Sequence, residues 1–351
     1  MTRFKFAVFA CVAVVGSLLG LVAVLFGLDL YAHTRVERSV GVNRHGYRGA
    51  VAGTKAPGEI RVVMLGGSTV FGYSVELEDT IPALLERQLK AADPLASVVN
   101  LGFVGEGALT FVPTLQSYAY LDYDVVCLYE GYNDVMGDAE PNTFLLRHSS
   151  PVFRLTGYFP ILPLVLREKA MALRYGDIGL AYHSSRSGRT QTVFRPGITD
   201  RTSATALETA AAITESLGRQ LDRVSERAPA SSPSGRGCPA PWSHYCASVA
   251  AAAQLALGAQ KSVVVVSQPR LRNDRRERHA DQQRTLAGML AREFGGDPRL
   301  RYVDASEVVD LSSAAVSHDG MHLNLAGNTA VAATLLEPIR AAVRTQRQES
   351  R

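Results

Sequence analysis

An excess of one charge is missing from this sequence. Its 351 residues hold 37 Lys and Arg against 33 Asp and Glu, a formal net charge of +4. So small a surplus gives no argument for nucleic acid as a partner, and the basic residues are scattered except in one stretch beginning at Arg270. Cysteine is sparse, with four in the whole chain. Near Cys238 and Cys246 the one further ligand type is His244, too few groups for a zinc site, so no metal is expected. No internal repeat is present. Global disorder is excluded, because 46% of residues are hydrophobic and 20% charged, enough for a sizeable core.

Charge is absent altogether from residues 6–28. A helix over that run reaches about 34 Å, enough for a hydrocarbon core of about 30 Å. The run is longer than a secretory h-region of about 7–15 residues and lacks a clean A-x-A site after it. Residues 1–28 are therefore read as a retained membrane anchor, with secretion after signal cleavage as the alternative. Cys11 ends the string Val8-Phe9-Ala10-Cys11, but too little apolar sequence precedes it for a lipoprotein cleavage box. Arg3 and Lys5 precede the run, whereas Arg35, Arg38, Arg44 and Arg48 follow it, so the positive-inside count alone does not put the N-terminus inside. The short tail before a first apolar segment favours a signal anchor with the remainder outside the cytoplasm, since long domains translocate largely regardless of charge. A disulfide between Cys238 and Cys246 suits an oxidising compartment, and closing so short a loop contributes roughly 2–3 kcal/mol. Cys127 sits in an apolar run and is expected to be buried.

Residues 29–57 are polar, contain Gly46, Gly49, Gly53 and Pro57, and read as a juxtamembrane linker to one domain over 58–351. Short β-branched runs predict strands at 60–65, 98–100, 124–129, 262–267 and 301–303, with helices between them, among them 80–92 and 325–344. Strands alternating with helices imply an α/β fold with a parallel sheet covered on both faces, and ligands bind beyond the carboxyl ends of such strands. A long insertion at about 136–260 separates the third and fourth strands. It holds an apolar piece with prolines (151–166), a basic polar stretch (183–201), an alanine-rich helix (204–227) and a Ser/Pro/Gly segment (228–241). It is either a lid on the site or decoration of the fold.

Four short strings fall at strand ends. Gly66-Gly67-Ser68-Thr69 puts a serine at the carboxyl edge of the first strand, after glycines that permit a tight turn. Val70 stands where the last glycine of G-x-S-x-G would be, so the α/β-hydrolase elbow is not indicated. Asp319-Gly320-Met321-His322 precedes the last helix. A serine hydroxyl needs a base, histidine titrates near neutrality, and a carboxylate three residues away on one turn fixes its tautomer. Asn100-Leu101-Gly102-Phe103-Val104-Gly105 and Gly131-Tyr132-Asn133-Asp134 follow the second and third strands and offer amide donors for an oxyanion. Each string alone reads equally as a turn or a solvated loop.

Together, in this order, they resemble the four blocks of the SGNH (GDSL-like) hydrolase superfamily, over roughly 58–135 and 262–345. The first block departs from Gly-Asp-Ser-Leu and looks similar to membrane-anchored bacterial envelope members. The resemblance implies a three-layer α/β/α, flavodoxin-like fold with a five-stranded parallel sheet. It implies Ser68 as nucleophile, His322 as base and Asp319 as its orienting carboxylate. It also implies an oxyanion hole from the Ser68 and Gly105 backbone amides and the Asn133 side chain, with Asp134 bracing its loop and no cofactor. The expected activity is hydrolysis or transfer of acyl groups on oxygen esters, with acylated glycans or lipids as substrates. A non-catalytic glycan-binding or polysaccharide-assembly protein with the same fold is the alternative, and the presence of all three residues argues against it. Arg270 and Arg272, in the Arg-rich stretch 270–278, are candidates to bind an anionic polysaccharide or lipid head group. Their ordinary alternative is a solvated helix start beside Asp274 and Glu277. The segment 43–49, Asn-Arg-His-Gly-Tyr-Arg-Gly, resembles one that precedes the first block in anchored members, and the residues alone suggest no role for it.

Overall fold

The computed structural model describes residues 3–139, 151–175, 197–207, 209 and 237–349. The chain divides into two compact units, Met1–Gly46 with Ser149–Glu226, and Tyr47–His148 with Arg227–Arg351.

The second unit carries a five-stranded sheet: β1 (Ile60–Gly66), β2 (Ala96–Asn100), β3 (Val125–Tyr129), β4 (Ser262–Val266) and β5 (Leu300–Val303). The spatial order is β2-β1-β3-β4-β5 and every pairing is parallel. Chain direction reverses across the sheet between β1 and β3, where the second strand lies on one side of the first and the third on the other. Doubly wound sheets leave a crevice at that position, outside the strands' carboxyl ends.

The central strands β3 and β4, and most of β1, are near-continuous apolar runs because both faces are covered. Ile60, Val62, Met64, Val125, Cys127, Val264 and Val266 join one buried cluster with residues of α3 (Ile81–Lys90) and the last helix, α9 (Leu325–Glu349). The intervening Val63, Leu65, Val126, Leu128, Val263 and Val265 are buried on the opposite face. There α4 (Phe111–Ser117), α7 (Ser243–Gly258) and α8 (Arg276–Phe294) pack. Thr80 caps α3, its hydroxyl accepting from the Ala83 amide. Between β1 and α3 the chain forms the four-residue helix α2 (Ser68–Phe71).

In the first unit, α1 runs Arg3–Val40. It therefore continues through residues 29–40, which were expected to be linker. Polar contacts hold that continuation: Asp29 accepts from the Tyr158 hydroxyl (2.5 Å) and the Leu162 amide (2.6 Å), and His33 Nε2 lies 2.6 Å from the Phe159 carbonyl. Those partners flank α5 (Pro151–Thr156) and α6 (Leu162–Tyr175). Val8–Glu37 is the one helix among the described residues long and apolar enough to cross a membrane, by length and composition.

The expected insertion at 136–260 divides between the two units. Its last part, α7, is the covering helix that leads into β4. Cys238 and Cys246 are disulfide-bonded at the start of α7. Asp138 accepts from the Ser243 hydroxyl and the His244 amide at that helix's first turn, and Trp242 Nε1 donates to Asp281 on α8. The basic stretch at 183–196 and most of the alanine-rich and Ser/Pro/Gly segments lie outside the described residues.

Candidate active site

β1 ends in Gly66 and Gly67 follows it, and both approach other chain segments too closely for a side chain. A Cβ on Gly66 would lie 2.2 Å from the Tyr129 carbonyl oxygen, and one on Gly67 would lie 2.3 Å from Asn133 Nδ2. Ser68 follows as the first residue of α2, half-buried at the sheet's carboxyl edge. Its Oγ lies 2.9 Å from His322 Nε2. On the other side of that ring, Nδ1 lies 2.7 Å from Asp319 Oδ2. Residues 254 positions apart thus join in one hydrogen-bonded chain of hydroxyl, imidazole and carboxylate.

The loop before α9 is built to present this pair. Gly320 takes the left-handed conformation at φ 80°. Asp319 Oδ1 accepts from the amides of Met321 (3.0 Å) and His322 (2.7 Å). Ser317 closes the turn, donating its hydroxyl to the His322 carbonyl and accepting from the Gly320 amide. Burial by itself would raise the Asp319 carboxyl. The hydrogen bonds from the His322 ring and from the His322 and Met321 amides outweigh it, and hold the group well below the usual carboxylate range. An ionised Asp319 keeps the proton on Nδ1, so Nε2 faces the serine as an acceptor. The adjacent His318 is exposed.

The remaining strings meet the same edge. Asn133 Nδ2 donates to the Glu106 carbonyl at 2.8 Å, which sets the amide beside Gly67 and ties it to the loop after β2. Gly105, next to Glu106, sits at φ 79°. Gly102, the other candidate in that string, has a packing role: a Cβ there would lie 2.6 Å from the Phe71 amide and from Val70 Cβ, both in α2. Asp134 Oδ2 accepts from the Ala108 amide at 2.8 Å, bracing the β3 loop against the β2 loop.

Several residues at the site carry no motif in the sequence. Glu130, 3% exposed, accepts from the amides of Gly67 (2.5 Å), Gly131 (2.9 Å) and Asn133 (3.0 Å). Burial, then the nearby Asp134 carboxylate, push its carboxyl up to about 8 against the pull of those donors. Gln268, at the end of β4, donates to the Thr69 hydroxyl and accepts from the Tyr132 amide, linking α2 to the turn Tyr132–Asp134. The Tyr73 ring packs on His322 with centroids 4.8 Å apart. A polar residue at a strand end was the one available signal for Glu130 and Gln268, and it is shared by many turns.

Arg270 and Arg272 lie in the loop after β4, where acidic neighbours engage them. Arg270 Nη2 is 2.9 Å from Glu307 Oε1, and Arg272 Nε is 3.1 Å from Asp310 Oδ1. Their local carboxylates are these two and not Asp274 and Glu277. Among the described residues no group of three or more His, Cys, Asp or Glu could hold a metal ion.

No protein-family model matches the chain. No curated protein matches it by sequence. Among solved structures it is similar to a catalytic mutant of an acetylxylan esterase from Geobacillus stearothermophilus, at 14% identity and a TM-score of 0.44 over 81% of this chain and 96% of that one. It is similar also to a member of the lipolytic G-D-S-L family from Veillonella parvula, at 10% identity and a TM-score of 0.41 over 79% of this chain and 97% of that one.

Proposed function

We propose that this chain is a membrane-tethered serine esterase acting on acyl groups of oxygen esters outside the cytoplasm. The observation that carries the reading is the continuous hydrogen-bonded chain from Ser68 Oγ through the His322 ring to Asp319. Ser68 Oγ attacks the acyl carbonyl while His322 Nε2 takes its proton. The tetrahedral oxyanion is held by the Ser68 and Gly105 backbone amides and the Asn133 side-chain amide. Collapse expels the alcohol, which takes the proton from His322, and leaves an acyl group on Ser68. Water then attacks the acyl-enzyme with His322 again as base, and the acid is released. A sugar hydroxyl in the place of water gives transfer by the same steps. Acylated glycans and lipids are the substrates in view. Location outside the cytoplasm is supported by the apolar helix at the N-terminus and by the Cys238–Cys246 bond, which suits an oxidising compartment.

The test is hydrolysis of p-nitrophenyl acetate by the purified full-length chain in detergent. Ser68→Ala is expected to lower kcat by at least ~10³-fold. Equal rates for the two proteins would rule out the esterase and leave the non-catalytic reading.

A further inference from the structure

The helix that carries Ser68 is too short to hold itself. It has four residues, and one turn of helix does not persist in water without outside support. Its start is secured by internal bonds: the Phe71 amide donates to the Gly67 carbonyl, and the Gly72 and Tyr73 amides both donate to the Ser68 carbonyl. The carbonyls at its end have no further turn to receive them, and a helix end buried in this way needs partners from elsewhere.

Two side chains supply them. Asn100 Nδ2, at the end of β2, donates to the Val70 carbonyl at 2.9 Å. Arg48 does more. Its Nη1 donates to the carbonyls of Phe71 (2.8 Å) and Gly72 (2.6 Å), and its Nη2 to that of Val75 (2.7 Å). The guanidinium carbon lies 4.9 Å from the centre of the Phe71 ring. Arg48 is itself fixed, since its backbone amide donates to the Asn100 carbonyl and its side chain is buried, with the residue 5% exposed. Burial pushes its pKa down and the Glu76 and Glu78 carboxylates push it back, so a charge sits where a helix's C-terminal dipole favours one.

We infer that Arg48 is a positioning residue for the nucleophile: its guanidinium grips the Phe71 carbonyl at the end of α2 and the Gly72 and Val75 carbonyls just past it, and so sets where Ser68 Oγ stands relative to His322. This gives the Tyr47-Arg48-Gly49 part of the segment before β1 its role, and it rests on the esterase reading of Ser68. A planar fork of donors reaches carbonyls on residues 71, 72 and 75 at once, whereas a lysine ammonium on a flexible stem does not hold the same set in place. Displacing the serine by about 1 Å is enough to cost about 10²-fold in rate.

The test uses the full-length chain in detergent, with wild type, Ser68→Ala, Arg48→Lys and Arg48→Ala. Each is measured for kcat and KM on p-nitrophenyl acetate, for the rate of covalent labelling by a fluorophosphonate, and for the folded fraction by circular dichroism. Arg48→Lys is expected to lower kcat and the labelling rate together by about 10–100-fold, with KM within about threefold of wild type, at an unchanged folded fraction. Dilute guanidinium chloride, well below unfolding concentrations, is expected to restore part of the Arg48→Ala labelling rate and none of that of Ser68→Ala. A Lys variant with wild-type kcat and labelling rate overturns the assignment, as does a loss that only follows the folded fraction. A wild-type chain no more active than Ser68→Ala overturns the esterase reading, and this role with it; an active wild type beside an unaffected Lys variant overturns the Arg48 role alone.

Discussion

At the scale of single residues, two carboxyls near the site, the exposed Asp319 and the buried Glu130, have opposite pH signatures. Asp319 is held below its ordinary value, and an acid whose pKa falls on folding adds stability above its unfolded pKa. That contribution should be complete above about pH 5 and disappear as the solution is acidified below about pH 4 toward the folded value. Urea unfolding of wild type and Asp319→Asn across this range should give a gap that is constant at neutral pH and closes in acid. The same substitution removes the acceptor that fixes the His322 tautomer, and kcat should fall by about 10³–10⁴-fold. Glu130 behaves in the opposite sense. With its carboxyl raised to about 8, the folded chain keeps a proton that the unfolded chain has already lost. Between the ordinary glutamate value of about 4.3 and that raised value, each increment of pH should cost wild type stability relative to Glu130→Gln, and above it the gap should level off. A gap between these two proteins that stays flat from pH 5 to 8 would mean that the buried carboxyl titrates normally.

At the scale of elements, the contact between α2 and the loop after β2 is the sharpest constraint. Gly102→Ala would set a methyl 2.6 Å from the Phe71 amide, and since main chain cannot rotate aside, α2 should shift. The expected result is a loss of about 1–3 kcal/mol in stability, the usual cost of overpacking, with a larger proportional loss of kcat than of KM affinity. The loop before α7 makes an independent case. Replacing Cys238 and Cys246 by serine should lower unfolding free energy by roughly 2–3 kcal/mol, measured in urea, while peptide mapping of wild type finds both thiols paired. The sheet was legible in the sequence because its central strands are buried on both faces, which forces unbroken runs such as Val263 to Val266 that no solvated segment needs. The meeting of Ser68, Asp319 and His322 was legible because hydroxyl, imidazole and carboxylate form a set restricted to few residue types and each falls near an element's end. Arg48, Glu130 and Gln268 were not. Most of the partners named for them are main-chain groups, which every residue possesses, so nothing in the sequence marks the pairing. The end of α1 was misread for a related reason. Apolarity stops at Leu28, but helix formation does not need it, and Asp29 and His33 continue the helix by bonding to residues more than 120 positions away.

At the scale of the whole molecule, most of the exposed large apolar side chains among the described residues lie on α1. Phe6, Phe9, Val12 and Leu19 are each 65–68% exposed, and none of the 18-residue window that makes the segment a candidate span is buried. Left in water such surface costs about 25 cal/mol per Å², so side chains of this size want a hydrocarbon environment. Past the apolar run, charge resumes at Asp29, and Tyr158, Leu162 and Phe159 bond to Asp29 and His33 within the same compact unit. Past the end of its apolar run the helix is thus held by polar contacts to folded protein of the same unit. The full-length chain should therefore stay with the membrane fraction after alkaline carbonate washing and keep its N-terminal sequence. An alkaline phosphatase fused at the C-terminus should be active, because that enzyme needs an oxidising compartment to form its own disulfides. A shortened chain in the soluble fraction would mean that the apolar run is a cleaved signal, and an inactive fusion on an intact, membrane-bound chain would place the site on the cytoplasmic side.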